Sequence, residues 1–297
     1  MTASAADARW EQVVDRLLDF YHHHARDLPW RRPDAGPWAV MVSEFMLQQT
    51  PVVRVLPVYR EWLERWPAPA DLATEPAGEA VRAWGRLGYP RRAMRLHAAA
   101  CAIVSDHGGR VPSAVPELLG LPGVGEYTAR AIAAFAFGAR TPVIDTNVRR
   151  VLSRVVRGAD SVREPATPAD RAELESLLPA DPARAARLSV ALMEFGALRC
   201  TATRPDCAEC PLAGQCAWLA AGRPSTPARR PVQTWHGTDR QVRGRILALL
   251  RERPDPVQRY LIDTVWPDAE QRTRCLTSLL ADGLLVPAGP DHFALPS

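Results

Sequence analysis

The sequence predicts an all-α protein that ends in a small module of helices and a hairpin. Apolar residues recur at helical spacing through most of the chain, as they do at Trp10, Val13, Val14, Leu17 and Leu18. Prolines recur at short intervals from residue 51 to residue 142 and divide this part into short helices. No convincing alternation of apolar and polar residues, the pattern of a strand, occurs before residue 280. These observations predict an all-α domain up to about residue 220.

The composition excludes several classes of function. The chain has 297 residues, of which 47% are apolar and 24% charged, an ordinary balance for a globular protein. All 37 residues counted as Lys+Arg are arginine, so no mechanism that uses a lysine amine is open to it. No apolar run approaches the roughly 20 residues that a membrane span needs, and the N-terminus lacks the apolar core of a secretory signal. We therefore expect a cytoplasmic monomer with no membrane partner, and the net charge of +4 is compatible with a nucleic-acid partner.

The segment SEFMLQQT (43–50) places a carboxylate, Glu44, among apolar residues. Burial raises the pKa of a carboxyl group, so a buried glutamate can act as a general acid. The alternative is a glutamate that faces solvent on an amphipathic helix, which is the usual place for a lone Glu. The segment taken alone leaves both possibilities open.

A loop bracketed by glycines follows in GRLGYPRR (85–92), where Leu87 and Tyr89 form an apolar and aromatic pair. Such residues can be inserted between the base pairs of a DNA duplex. Packing in the protein core is their more usual role. We expect one of these two outcomes for each side chain.

The segment ELLGLPGVGEYTARAIAAF (117–135) predicts two helices joined by a tight turn at residues 121–125. Gly123 and Gly125 let the backbone approach a partner closely, and the exposed N–H groups at a helix N-terminus attract phosphate oxygens. A helix–hairpin–helix grips a DNA backbone in this way without reading its sequence. An ordinary helical turn explains the same residues equally well.

The segment TPVIDTNVRRV (141–151) predicts an amphipathic helix that begins just after Asp145. The usual role of an Asp at this position is to cap the helix N-terminus. The same carboxylate, placed beside a sugar carbon, would stabilise a developing oxocarbenium ion. Asn147 can add a polar contact, and Arg149 and Arg150 can reach phosphate.

Four of the six cysteines lie within 17 residues, at Cys200, Cys207, Cys210 and Cys216. In an intracellular chain such a cluster favours metal ligation over disulfides. Structural zinc sites usually pair two short Cys-x2-Cys hooks far apart, whereas this run has one such hook flanked by single cysteines. The spacing therefore favours a 4Fe-4S cluster.

The C-terminal part reads as a linker followed by a separate module. Residues 221–235 are rich in Pro, Arg and small polar residues, which is typical of an exposed linker. Residues 236–297 carry two helical stripes with a short helical segment between them, and then two extended segments around a Gly-Pro-Asp turn. Three helices followed by a hairpin are typical of a small winged-helix module.

Taken together, the motifs resemble those of the helix–hairpin–helix DNA glycosylases and, among these, the MutY-type adenine DNA glycosylases. The resemblance covers residues 8 to about 220. Its motifs follow one another in the family's order: LPW (28–30), SEFMLQQT, RLGY (86–89), LPGVGEYTA, VIDTNVRRV, MEFGALRC (193–200) and the cysteine run. It implies one glycosylase domain over residues 1–220 with two lobes. Residues from about 26 to 140 would form a hairpin lobe, and about 1–25 with 141–220 would form a lobe that carries an iron–sulfur cluster loop.

The resemblance also assigns roles to individual residues. Glu44 would protonate the adenine leaving group, and Asp145 would stabilise the anomeric cation. Tyr127 and Asn147 would support these two, while Gln49 and Tyr89 would enter the duplex when adenine is flipped out. The residues expected to contact DNA are Gln49, Thr50, Leu87, Tyr89, Gly123 and Gly125; those expected to form the adenine pocket are Trp30, Arg31 and Glu194; and those expected to hold a structural 4Fe-4S cluster are Cys200, Cys207, Cys210 and Cys216.

The implied activity is base excision repair in the nucleoid: hydrolysis of the N-glycosidic bond of adenine mispaired with 8-oxoguanine or guanine in double-stranded DNA. The related endonuclease III carries a catalytic lysine where this chain has Tyr127. We therefore expect no lysine-dependent lyase step and an intact abasic site as product.

One departure from the family concerns the C-terminus. Relatives commonly carry a second domain resembling Nudix hydrolases, which reads 8-oxoguanine, and the residues after 233 are too few for it. Two alternatives therefore stay open. One is a glycosylase of the same fold for thymine or uracil opposite guanine, and the other is a DNA-binding regulator without enzymatic activity.

Overall fold

The computed structural model describes residues 5–160, 166–224 and 235–297. These residues are mostly helical, which confirms the predicted all-α class with a small C-terminal module. None of the helices described is long and apolar enough to cross a membrane. The helices are α1 (Ala5–His24), α2 (Pro37–Leu47), α3 (Val52–Arg65), α4 (Pro69–Ala73), α5 (Ala77–Ala83), α6 (Arg91–His107), α7 (Val115–Gly120), α8 (Glu126–Phe137), α9 (Thr146–Val155), α10 (Pro168–Leu177), α11 (Pro182–Leu198), α12 (Ala217–Ala220), α13 (Asp239–Arg251), α14 (Arg259–Asp263) and α15 (Ala269–Ala281), with short 3-10 turns at Pro29–Arg31 and Ala213–Gln215.

The chain divides into two compact units. The first comprises Met1–Val40, Ser113–Pro116 and Val124–Arg229. Its core lies between α1, α9, α10 and α11, and the apolar stripe predicted for α1 is buried there. Helix α11 begins after Asp181, whose side chain accepts a hydrogen bond of 2.7 Å from the backbone N–H of Arg184 and so caps the helix.

The second unit comprises Met41–Pro112, Glu117–Gly123 and Arg230–Ser297. Helices α4 and α5 pack on α6. Trp62, Trp66 and Trp84 are almost completely buried and meet edge to face, with ring centroids 4.7 Å and 5.7 Å apart. This unit therefore has an aromatic centre of its own. The boundaries of these two units differ from the boundaries of the two lobes that the resemblance implies. The assignment of residues 1–220 to one domain stays a prediction.

The C-terminal module consists of α13, α14, α15 and a three-stranded antiparallel sheet in the order β1-β3-β2. Strands β2 (Val286–Pro287) and β3 (His292–Ala294) form the predicted hairpin. Strand β1 (Val257–Gln258) also pairs with β3, and it was not predicted because two residues are too few to show an alternation. Most of the predicted linker 221–235, from 225 to 234, lies outside the described residues.

Side chains of the second unit fix the end of α13 against α5. The Arg82 guanidinium donates to carbonyl oxygens at the C-terminal end of α13, those of Arg251 and, at 3.1 Å, Arg253. The backbone N–H of Gly78 donates to the carbonyl of Pro296 at 2.6 Å. A Cβ on Gly78 would lie 2.5 Å from that oxygen, so only glycine fits there. Helix α13 is thereby held in a defined position within this unit.

Candidate active site and cluster loop

Glu44 is buried within α2, with 6% of its surface exposed. All residues from 41 to 46 are buried, so this stretch of α2 has no solvent-facing side. The alternative of a glutamate facing solvent is therefore wrong. The second possibility, a carboxyl group withdrawn from water, matches the structure and is what a general acid requires.

The turn between α7 and α8 has the backbone that its glycines predict. Gly123 has a φ of +80°, and a Cβ there would lie 2.6 Å from Cβ of Arg95 and 3.0 Å from Phe45. A side chain at this position would be strained by the backbone and would collide with its neighbours. Gly125 is the N-cap of α8 and caps it without a side chain, which leaves the first N–H groups of this helix to be satisfied by other partners.

Asp145 caps α9, as the usual role of an Asp at a helix start predicts. Its Oδ1 accepts a 2.7 Å hydrogen bond from the backbone N–H of Val148, and its Oδ2 accepts a 2.7 Å hydrogen bond from Nδ2 of Asn147. Burial raises the pKa of Asp145, and these hydrogen bonds oppose that rise. The carboxylate is thus fixed in position by both of its oxygens.

Arg150 holds Asn147 in turn. Its Nη2 donates to Oδ1 of Asn147 at 2.7 Å and to the carbonyl of Gly196 at 2.6 Å, while its Nε donates to the carbonyl of Cys200 at 2.7 Å. Burial lowers the pKa of Arg150. We call Asp145, Asn147 and Arg150 the Asp145 turn. It joins the capping carboxylate to the first cysteine of the cysteine run.

The expectation that Arg149 and Arg150 reach phosphate is wrong for the structure as it stands. Each is only 7% exposed, because α9 lies in the core of the first unit. Arg149 forms an ion pair with Asp170 at 3.5 Å. Both arginines hold parts of the protein together.

Tyr127 lies in the first turn of α8. Its hydroxyl lies 3.9 Å from Sδ of Met193, and its side chain packs against the apolar cluster of Ala131, Ala134, Val143 and Ala186. The structure thus joins Tyr127 to α11, the helix that also carries Glu194.

Glu194 is completely buried and forms ion pairs with two arginines. Arg26 donates to both of its oxygens, at 2.8 and 2.6 Å, and Arg31 donates to Oε2 at 2.9 Å. Burial raises the pKa of Glu194, but the hydrogen bonds from Arg26 and Arg31 outweigh it and bring the pKa to about 2. Trp30, 7% exposed, lies in the same 3-10 turn as Arg31. No sequence motif includes Arg26, and its partner is 168 positions away, so the sequence gives no sign of this contact.

The predicted DNA-contact residues of the second unit fall into two groups. Gln49 and Tyr89 are exposed and have positive φ angles of 53° and 47°, a conformation that costs energy for residues other than glycine. Thr50 and Leu87 are buried, with 7% and 3% exposed. In this structure the buried pair therefore offers no surface to DNA.

Thr50, Leu87 and Arg92 support the two loops instead. The hydroxyl of Thr50 donates to the carbonyl of Leu87 at 3.4 Å and accepts from Nη2 of Arg92 at 3.0 Å. Arg92 also donates to the carbonyls of Gln48, at 2.6 Å, and Gly88, at 3.1 Å. One buried guanidinium thus ties the loop of Gln49 to the loop of Tyr89.

The four clustered cysteines line one small cavity in the first unit and form no disulfide. Arg154, 2% exposed, lies beside it, with Nη1 3.5 Å from Sγ of Cys200 and 2.8 Å from the carbonyl of Thr201. Its guanidinium also lies over the ring of Trp218, 4.5 Å from the centroid.

Four thiols around one cavity with buried cations beside them fit an anionic iron–sulfur cluster.

Two family models match the chain. The model of the HhH-GPD superfamily base excision DNA repair proteins matches residues 42–177. The model of the iron-sulfur binding domain of endonuclease III matches residues 200–216, the span of the four cysteines, and this confirms the predicted cluster-binding loop.

Similar proteins carry consistent names. The adenine DNA glycosylase of Mycolicibacterium smegmatis is 51% identical over 280 residues, which is 94% of either chain. The adenine DNA glycosylase of Homo sapiens is 43% identical over 211 residues, or 67% of this chain and 38% of that protein. Among solved structures, a thermostable thymine-DNA glycosylase matches 73% of this chain and all of its own, with a TM-score of 0.67 and 28% identity.

Proposed function

Since the chain belongs to the HhH-GPD superfamily of base excision DNA repair proteins and, within it, to the adenine DNA glycosylases, we propose that it removes adenine mispaired with 8-oxoguanine or guanine from double-stranded DNA. The reaction is hydrolysis of the N-glycosidic bond. The observation that carries the chemistry is the Asp145 carboxylate, fixed by Val148 and Asn147 at the start of α9. The names of the relatives support adenine as the base.

In the proposed reaction, Asp145 acts on the sugar. Loss of the base leaves positive charge on the anomeric carbon, and a carboxylate fixed in advance stabilises that charge without having to reorganise. The carboxylate must be ionised to do this. The hydrogen bonds from Val148 and Asn147 favour the ionised form against the effect of burial.

Glu44 acts on the base. Adenine leaves more easily when a nitrogen of its ring is protonated as the bond breaks, and a buried carboxyl group is suited to donate that proton. The base has to leave the duplex first, because neither carboxyl group can reach it in the stack. Gln49 and Tyr89, exposed on their loops, are the side chains proposed to fill the space that the base leaves.

Trp30 and Arg31 are proposed to recognise the extruded adenine. Glu194 is proposed to position Arg31, because its carboxylate already accepts hydrogen bonds from two arginines. Gly123 and Gly125 are proposed to bring the hairpin backbone to a phosphate of the bound DNA. Tyr127, in the first turn of α8, is proposed to support the two catalytic carboxyl groups.

The four cysteines are proposed to hold the 4Fe-4S cluster, which would clamp the loop from Cys200 to Cys216. Arg150 and Arg154 reach the start of that loop through the carbonyl oxygens of Cys200 and Thr201.

We further propose that the enzyme has glycosylase activity alone. A lyase step of the endonuclease III kind needs a lysine amine that forms a Schiff base with the sugar. The chain contains no lysine, and Tyr127 stands at the corresponding position. The product is then an intact abasic site.

A second candidate function is removal of thymine or uracil opposite guanine. The observation that favours it is the similarity to the thymine-DNA glycosylase structure, which extends over the whole of that chain. The higher identity, 51%, to a protein named as an adenine DNA glycosylase favours the first candidate.

The proposal is tested with four duplexes that contain adenine opposite 8-oxoguanine, guanine or thymine, and thymine opposite guanine. Strand cleavage is measured with and without alkali, with Asp145→Asn as the control. Cleavage of the adenine mispairs that requires alkali supports the proposal. Cleavage of the thymine mispair alone would establish the second candidate, and cleavage without alkali would contradict the absence of a lyase step.

A further inference from the structure

A large basic groove lies within the second unit. Its volume is about 1160 Å³. It is lined by the loops of Gln49 and Tyr89, by the start of α6 and by one face of α13, and we call it the arginine groove. Nine arginines line it, five from residues 54–95 and four from α13. Among the residues that the structure describes, no Asp or Glu lines it.

Three of the four arginines of α13 lie on one face because of their spacing. Arg240, Arg243 and Arg251 follow one another at intervals of three and eight residues, which return to nearly the same side of a helix. Arg243 forms an ion pair of 2.6 Å with Asp282, which steadies it at the side of the groove. Arg251 donates to the carbonyl of Val81 at 2.9 Å, so the exposed arginines of the groove, such as Arg86, Arg240 and Arg245, are the ones available to a DNA strand.

Aromatic rings stand among these cations. The guanidinium of Arg240 lies 5.2 Å from the ring centroid of Tyr89 and 5.2 Å from that of Trp235. The two rings are 49% and 47% exposed. Stacking of a planar group against exposed rings beside a basic groove is how proteins bind unpaired bases.

We propose that the arginine groove binds the DNA strand opposite the excised adenine, with Trp235 and Arg240 contacting the orphaned purine and the exposed Arg86 and Arg245 contacting its phosphates. This rests on the proposed function, in which Tyr89 enters the space that adenine leaves. A side chain in that space faces the purine on the other strand. Beside Tyr89 in this unit lies Arg240 of the C-terminal module, whose guanidinium also lies over the ring of Trp235. The module thereby contacts the purine that defines the mispair.

The test measures binding in the full-length Asp145→Asn protein, so that turnover does not change the DNA. Three duplexes place adenine opposite 8-oxoguanine, guanine or a tetrahydrofuran spacer that lacks a base. Trp235→Ala and Arg240→Ala are compared with Arg60→Ala, an exposed arginine of α3 that does not line the groove. Both test residues are exposed, so their loss leaves the core intact.

We expect Trp235→Ala and Arg240→Ala to weaken binding to the two purine duplexes by roughly 5-fold to 100-fold, the range of one base–aromatic stack. Binding to the spacer duplex should change less, and Arg60→Ala should bind all three like the parent. Equal losses on all three duplexes would overturn the contact to the base. No loss on any duplex would overturn the proposal as a whole.

The third helix of a winged-helix module is the other surface that could meet DNA, and Arg274 is exposed on α15. If Arg274→Ala weakens binding while Arg240→Ala does not, the module binds through α15 and the proposal is overturned. Failure of the proposed function is recognised by a different result. In that case the wild-type protein releases no adenine, whereas the differences in binding between the variants still test the groove.

Discussion

The Asp145 turn and the arginine groove both depend on arginines, but they use them in opposite ways. Arg150 is 7% exposed and donates to three oxygens of its own chain. In the groove, Arg86 and Arg240 are exposed. A buried arginine whose donors are engaged fixes the position of its neighbours, and an exposed one is available to a phosphate. The total charge of a chain does not distinguish these two uses.

The largest effect is expected from the carboxylate that the Asp145 turn positions. Asp145→Asn keeps the shape and can still cap α9, but it removes the charge that stabilises the sugar cation. We expect single-turnover release of adenine to fall by about 10³-fold or more. The dissociation constant for a duplex with adenine opposite 8-oxoguanine, measured by fluorescence anisotropy, should stay nearly unchanged. A parallel loss of binding would assign Asp145 to DNA binding and favour the regulator over the enzyme.

The next effect concerns Arg150, which touches neither sugar nor base in the proposed reaction. Arg150→Gln removes the hydrogen bonds that fix Asn147, and a carboxylate displaced by about 1 Å can lose up to about 10²-fold in rate. Single-turnover kinetics should show this loss with little change in affinity. Arg149→Gln is the matched control, because Arg149 is equally buried and pairs with Asp170 instead. Equal rates for Arg150→Gln and wild type would show that the turn does not need this support.

Glu194 is a third place where arginines bind partners within the protein, here Arg26 and Arg31. Substitution of Glu194 should therefore lower stability. Glu194→Gln leaves Arg26 and Arg31 without their anion. We expect a loss of about 2 kcal/mol in the free energy of unfolding, below the range of a fully buried pair, because the Arg26 side chain is 37% exposed.

The pH dependence of this pair has a definite sign. The pKa of Glu194 is held at about 2, below the ordinary 4.5. The stability that it contributes is therefore complete above pH 4.5 and is lost as the pH falls toward 2. Urea denaturation at pH 7 and at pH 3 measures the free energy of unfolding of the wild type and of Glu194→Gln. A difference between variant and wild type that is as large at pH 3 as at pH 7 would contradict the ion-pair account.

The smallest effect is expected from a single groove arginine. Arg86→Ala removes one exposed cation and should lower the slope of log K against log salt concentration by about 1. The rate of adenine release from the bound complex should stay the same. Arg60→Ala should leave the slope unchanged. An unaltered slope in Arg86→Ala would remove Arg86 from the DNA contacts.

The sequence predicted best what depends on local pattern. Asp145 was expected to cap a helix because Asp at a helix start commonly does so, and the geometry agrees. For Glu44 the apolar residues around it raised the possibility of burial but left it open, and only the structure decided it. The left-handed backbone of Gly123 follows from its place in a tight turn.

What the sequence could not predict depends on partners that are distant in the chain. Arg26 has no feature that points to Glu194, and Arg150 was expected at a phosphate because its burial depends on how α9 packs. The arginine groove also depends on residues that are distant in the chain. Its arginines come from two separate parts of the chain, and the C-terminal part has a net charge of only +3 over residues 223–297, from 11 Arg and 8 acidic residues.

The difference between the Asp145 turn and the arginine groove is tested most directly by two measurements on two variants. Both use one duplex, with adenine opposite 8-oxoguanine. The dissociation constant and the single-turnover rate are measured for Arg150→Gln and for Arg86→Ala at two salt concentrations. We predict that Arg150→Gln loses rate and keeps affinity, and that Arg86→Ala loses affinity, more at low salt, and keeps its rate. If both variants lose rate, or both lose affinity, catalysis and DNA binding are not divided between the two regions, and the account is wrong.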